Sequence, residues 1–192
     1  MNYDQKRGEI TLEKELNKLD AFVLDFVANL DKYVIVSGYV SILLGRSRSS
    51  EDIDFLIPEM LKEEFVRLWK KLADKGFWCI NTSKPEEAFS MLKEHAIRFC
   101  KKDPIPNIEF KIIKTELDKF SYEHRLKVML NSHILYISPL ELQIAFKLYL
   151  GSEKDVEDAW HIYSMFKEKI NKEELRYSLE KLNVTDKFNL IK

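Results

Sequence analysis

The segment "SGYVSILLGRSRSSEDIDFLI", Ser37 to Ile57, constrains the fold more than any other part of the chain. It is apolar enough to be buried, yet it carries charge at fixed intervals, and a buried charge is costly unless it is paired. "YVIVS", Tyr33 to Ser37, is β-branched and apolar and predicts a buried strand. Gly38 then allows a tight turn into a short helix over "YVSILLG", stopped by Gly45. "EDIDFLIP" predicts a second strand ended by Pro58, and residues two apart in a strand share a face. Asp52 and Asp54 therefore project together, and Arg48 and Ser50 precede them in the same two-residue step.

The rest of the chain surrounds this segment with alternating strands and helices. Leu12, Leu16, Leu19, Phe22, Val23, Phe26, Val27 and Leu30 recur at helical spacing, predicting a helix from about Thr11 to Leu30 with Thr11 as N-cap. Met60 to Lys75 predicts a helix closed by Gly76, "FWCI" a short strand, and "SKPEEAFSMLKE" a helix begun by Ser83 and Pro85. "AIRFC" and "NIEFKII" predict two strands joined by the proline-marked turn "KKDPIP". Beyond Thr115, a hairpin of "RLKVML" and "HILYIS" leads into helices starting at Ser138-Pro139, near Glu153 and near Asn171. The expected fold class is α+β: a mixed β-sheet flanked by helices over residues 1–137, and a helical C-terminal subdomain over 138–192 packed on it.

Two carboxylates on one strand face suit a magnesium or manganese ion, which takes oxygen ligands and typically shares them with phosphate and water. The Ser37-Gly38 turn directs backbone N–H groups toward an anion at a helix start. Arg48 can grip a phosphate by two hydrogen bonds and the Ser50 hydroxyl can add another. The ordinary alternative makes Asp52 and Asp54 the solvent face of an edge strand whose inner face is Ile53, Phe55 and Ile57. Leu56, in register with the two acids, weakens that alternative.

Composition excludes several function classes. Thirty-one basic against 32 acidic residues leave a net charge of −1, so no global field draws the chain to nucleic acid or an anionic membrane. Any RNA contact needs a local patch. Cys79 and Cys100 lack a second Cys or His at metal spacing, which argues against a zinc site or disulfide framework and for a reduced, cytoplasmic setting. The polar N-terminal stretch has no signal-peptide core, and no apolar run approaches the roughly 18 residues of a membrane helix. His95, His124, His133 and His161 are scattered, and no P-loop or Gly-x-Gly-x-x-Gly occurs.

At these residues the chain resembles the minimal nucleotidyltransferase superfamily with the DNA polymerase beta-like fold: an apolar strand, a small-residue turn, then Asp-x-Asp. The run Arg48-x-Ser50-x-Asp52-x-Asp54 is similar to the AbiEii/AbiGii toxin-like and related branch, with Ser37-Gly38 standing where Gly-Gly or Gly-Ser is usual. The resemblance implies a third acid from a later strand, matched by Glu109 in "NIEFKII", with Asp52, Asp54 and Glu109 as metal ligands. It also covers a proline-led helix with Lys147 and a Lys-Asp-x-x-Asp helix at Lys154, Asp155 and Asp158. Ordinary readings stand beside these: an exposed strand acid for Glu109, a snorkelling lysine for Lys147, a first-turn acid for Asp155.

The implied activity is transfer of a nucleoside monophosphate from an NTP to a hydroxyl or phosphate acceptor, with release of pyrophosphate. Asp52, Asp54, Glu109, Lys147 and Asp158 would be catalytic; Ser37, Gly38, Arg48, Ser50 and Lys147 would bind nucleotide. Implied partners are an NTP, transfer RNA or another RNA as acceptor, and a cognate antitoxin. A small-molecule nucleotidyltransferase and a non-catalytic nucleotide-binding or protein-interaction module remain open.

Overall fold

A computed structural model describes all 192 residues. Strand β4 (Asp52–Ile57) organises it by side-chain parity. Ile53, Phe55 and Ile57 are fully buried on one face, and Asp52, Asp54 and Leu56 take the other. β4 runs antiparallel to β3 (Val34–Val36) and parallel to β7 (Asn107–Ile112). This register sets Val36 on one side of Asp54 and Glu109 on the other. The sheet has nine strands. Beyond β3 lie β9 (His133–Ile137), β8 (Leu126–Leu130), β2 (Glu9–Leu12) and β1 (Asn2–Asp4) in that order. Beyond β7 lie β6 (Ile97–Cys100) and β5 (Trp78–Cys79).

Helices cover both faces. Behind the apolar face of β4 lies α1 (Lys18–Val27), whose Phe26 ring meets Phe55, Phe77, Phe99 and Phe110 at centroid distances of 5.3–5.9 Å. Such aromatic packing adds about 0.5–1.5 kcal/mol per pair to the area buried. On the same side, Trp69 of α3 (Lys62–Asp74) meets Phe99, and Phe65 meets Phe89 of α4 (Pro85–Glu94). Against the other face, Leu117 and Ser121 of α5 (Glu116–Glu123) and Leu142 and Phe146 of α6 (Leu140–Leu150) line a small cleft with Val36 and Leu56. α7 (Glu153–Phe166) and α8 (Lys172–Lys181) pack on α6, and a 3₁₀ turn over Asp186–Leu190 follows. One continuous apolar cluster runs from the sheet into these last helices. No helix is long and apolar enough to cross a membrane.

The mixed sheet flanked by helices is the expected α+β class. The expected helix from Thr11 to Leu30 is corrected: residues 9–12 form β2, paired in parallel with β8, and α1 begins at Lys18. Ile10 and Leu12 are buried as alternate strand residues, and Leu12 falls in phase with the helical run by coincidence. Asn17, rather than Thr11, is the N-cap: its side chain accepts from the Asp20 N–H at 2.8 Å while the Asp20 carboxylate accepts from the Asn17 N–H. The buried Asp20 also takes Lys14 at 3.0 Å and the Tyr39 hydroxyl at 2.9 Å, tying α1 to the next helix. Helix α5, which the periodicity did not announce, starts at a capping box between Thr115 and Asp118.

Candidate active site

The turn after β3 leads into α2 (Gly38–Leu43) and is unusual in its backbone. Positive φ falls on Ser37, at 63°, where a non-glycine residue is strained. Gly38 is needed for a different reason. A Cβ there would stand 2.7 Å from the Arg48 guanidinium and 3.4 Å from the Ser50 hydroxyl, so only glycine lets both approach the turn. Gln143 of α6 holds Ser37 from below, donating to the Ser37 carbonyl at 2.6 Å and accepting from its N–H at 3.3 Å. Ser138 donates to the same Gln143 oxygen at 2.9 Å, which fixes the amide's orientation.

Arg48 leaves this turn for α7. Its Nε and Nη2 donate to the two Asp158 oxygens at 3.0 and 2.7 Å, a bidentate fork. Lys147 of α6 completes the group, with Nζ 2.7 Å from Asp155 and 3.1 Å from Asp158. Arg46 lies 3.7 Å from Asp158 and also pairs with Glu157. Burial raises the pKa of Asp155 and Asp158, but Lys147 at the first, and Arg48 with Lys147 at the second, outweigh it, so both acids are held below the usual carboxylate range. The hydrogen bond to Asp158 in turn raises Arg48 against burial, and Asp52 adds to that pull.

A second group lies on the acidic face of β4 and β7. Asp54 and Glu109 are register partners, and Lys111, two residues further along β7, inserts its ammonium between them at 2.9 and 3.1 Å. Arg98 of β6, register partner of Glu109, reaches that acid at 3.3 Å. Burial raises the Asp54 pKa, and the neighbouring Glu109 carboxyl adds to the rise despite the pull of Lys111. Burial lowers the Lys111 pKa, but Asp54 and Glu109 outweigh it and raise it overall. Asp52, at the strand's open end, makes no ion pair or side-chain hydrogen bond; Ser50 bonds its backbone carbonyl at 3.0 Å. Opposite Asp52, the buried Asn107 side-chain oxygen has no partner.

The predicted site residues thus fall into two groups. Asp52, Asp54 and Glu109 share one sheet face, while Arg48, Lys147 and Asp158 interlock α6 and α7 behind the Ser37-Gly38 turn. Arg48 and Ser50 connect the groups. For a hard cation the donor set fits in type: three carboxylates and an orphaned amide oxygen share a face, and two of the acids already converge on one positive charge. No three acidic, histidine or cysteine side chains surround a common point as they stand. Lys111 and Asn107 were not singled out in the sequence, although they alternate with Glu109 in one strand and the two-residue period places all three on one face. Arg98 and Gln143 carried no such signal, because their roles depend on strand pairing and on a contact 106 residues away.

Beside Arg48, Ser49 and Ser50 opens a cavity of about 830 Å³, bordered by Lys18, Phe22, Ile42, Lys101 and Ile105. Its size is that of a small-molecule site.

No family model matches the sequence, and no curated protein does. The structure is similar to the crystal structure of an antigenic nucleotidyltransferase-like protein from Paracoccidioides brasiliensis, with a TM-score of 0.55 and 18% identity over 88% of this chain and 86% of that one. At that identity the likeness shows the fold: the mixed sheet with its helices is nucleotidyltransferase-like.

Proposed function

We propose that this protein is a metal-dependent nucleotidyltransferase, moving a nucleoside monophosphate from an NTP to a hydroxyl or phosphate acceptor. The observation that carries this reading is the convergence of Asp54 and Glu109, on adjacent parallel strands, upon one cation, with Asp52 unpaired beside them. The similar fold of a nucleotidyltransferase-like protein supports it. Asp52, Asp54 and Glu109 would hold magnesium or manganese, which supplies charge neutralisation on the triphosphate and activation of the acceptor oxygen. The Ser37-Gly38 turn, with Ser50 and the outer edge of Arg48 beside it, would seat the phosphates. Lys147 and Asp158 would serve the nucleotide indirectly, by fixing Arg48 against the turn. A fully buried carboxylate held down by two cations is a poor proton donor, so positioning suits Asp158 better than acid-base work.

Catalysis on this arrangement rests on orientation and electrostatic stabilisation. The cavity beside Arg48 has room for a nucleoside or an acceptor end, and Lys18 and Lys102 suit a polyanion there. Transfer RNA, modified by a toxin that a cognate antitoxin restrains, is the acceptor that the Arg48-x-Ser50-x-Asp52-x-Asp54 resemblance favours; a small molecule is the other enzymatic option. One observation favours a non-catalytic nucleotide-binding module on the same fold: Lys111 already fills the gap between two of the three acids.

Incubation with each α-labelled NTP, magnesium, and total RNA, protein or metabolite pools separates these readings. Transfer of label to one pool, abolished by Asp54→Asn, is the expected result. Nucleotide binding without transfer to any pool assigns the module instead.

A further inference from the structure

Lys111 is the least expected member of the acidic face. Its ammonium lies 2.9 Å from an Asp54 oxygen and 3.1 Å from a Glu109 oxygen, and apart from Arg98, on the far oxygen of Glu109, it is the only cation on this pair. A magnesium ion binds carboxylate oxygen at about 2.0–2.1 Å and demands near-octahedral order. An ammonium cannot share that space. Lys111 sits on a four-carbon stem with its side chain 36% exposed, so the head can swing away while the strand stays in place. Asp54 and Glu109 are register partners on paired strands, so their backbone positions stay side by side as long as the sheet holds.

We propose that Lys111 is a tethered counter-cation: it neutralises Asp54 and Glu109 in the free protein, competes with the divalent ion for them, and yields its place when the metal arrives with a nucleotide, turning to the triphosphate. The proposal rests on the nucleotidyltransferase reading and adds to it a reason for ordered loading. Without nucleotide, metal binding must evict the ammonium with no new partner for it. With nucleotide, the phosphates offer that partner, so metal and NTP favour one another's binding. In this scheme Lys111 acts on metal loading through the two acids and, once displaced, on the nucleotide directly.

Manganese titration followed by electron paramagnetic resonance tests this on the whole chain, at one fixed pH, for the native protein, Lys111→Met, Lys111→Arg and Asp54→Asn. Lys111→Met should bind manganese about tenfold tighter or more without nucleotide, since an adjacent like charge is gone. Lys111→Arg should keep the native weakness, and a non-hydrolysable NTP should tighten manganese binding less in Lys111→Met than in the native protein. The Met variant should also melt lower without metal and recover more on adding manganese, which separates lost competition from lost folding. Equal or weaker manganese binding by Lys111→Met overturns the proposal; where that binding still requires Asp54, the nucleotidyltransferase reading stands without it. No Asp54-dependent manganese binding in any form, with or without NTP, overturns both.

Discussion

Two clusters of charge lie on either side of the Ser37-Gly38 turn, and they are built on opposite principles. Behind the turn, Arg46, Arg48 and Lys147 face Asp155, Glu157 and Asp158, three cations against three acids, with Lys147 and Asp158 almost wholly out of water. On the sheet face, Asp52, Asp54 and Glu109 meet only Lys111 and Arg98, and one acid has no partner. The first cluster is balanced and its acids are held below their usual range; the second keeps an excess of negative charge, and Asp54 is pushed up. A closed, neutral network supports structure, whereas an open one with an unmet charge has capacity left for a ligand. On the proposed reading, the residues around Asp158 are scaffold and those around Asp54 carry the chemistry.

The sharpest way to break that division is Asp158→Ala. It leaves the buried Lys147 with one acid, Asp155, and the half-buried Arg48 with no carboxylate partner. Removing one partner from a buried pair costs about 3–5 kcal/mol, and chemical denaturation should show a loss of that size. If the variant instead keeps its stability and loses only nucleotide transfer, Asp158 belongs with the chemistry and the comparison fails.

Asp52 and Asp54 were legible as a pair because a strand's two-residue period fixes which side chains share a face, and an acid inside an apolar run stands out against that period; Glu109 was reached only through the family resemblance, since its place beside Asp54 depends on the pairing of β4 with β7. β2 was not legible, because its four residues end where a longer helical periodicity begins. Arg48 was legible as a phosphate-type residue, but its fork on Asp158 spans 110 positions of chain. Strand order decides such contacts, and local patterning does not encode strand order. The same holds for Gln143, which looks like a polar lapse in an apolar helix until α6 is seen to lie under the Ser37 turn.

Gly38→Ala sharpens the comparison at the junction of the two clusters. The added methyl meets a guanidinium that is not free to swing, because Asp158 holds it by two hydrogen bonds. Overpacking of this kind costs about 1–3 kcal/mol. The loss should shrink sharply when Arg48→Ala is already present, and a double-mutant cycle reads that coupling. An unchanged loss would mean that the turn, rather than the arginine, requires glycine.

The smallest effect, and the one with a sign for each cluster, is in the pH dependence of stability. Asp155 and Asp158 have folded pKa values below the unfolded value near 4, so their stabilisation is present above about pH 4 and is lost as pH falls through the folded value. Asp54 has a folded pKa above its unfolded one, so its ionised form opposes folding: the penalty is full above the folded pKa and disappears as pH falls below the unfolded one. Asp54→Asn should therefore leave stability unchanged or raise it by up to about 0.5 kcal/mol near pH 7, the usual span for substitutions outside a packed core. Its advantage over the native chain should fade as the medium becomes acid. Denaturant midpoints across that range should converge at low pH for Asp54→Asn and the native chain. For Asp158→Asn the gap should instead be widest at neutral pH as a deficit, narrowing as Asp158 itself protonates. Two curves that leave the native one in the same direction would mean that both acids are structural, and that the sheet face holds no reserve of charge for a metal.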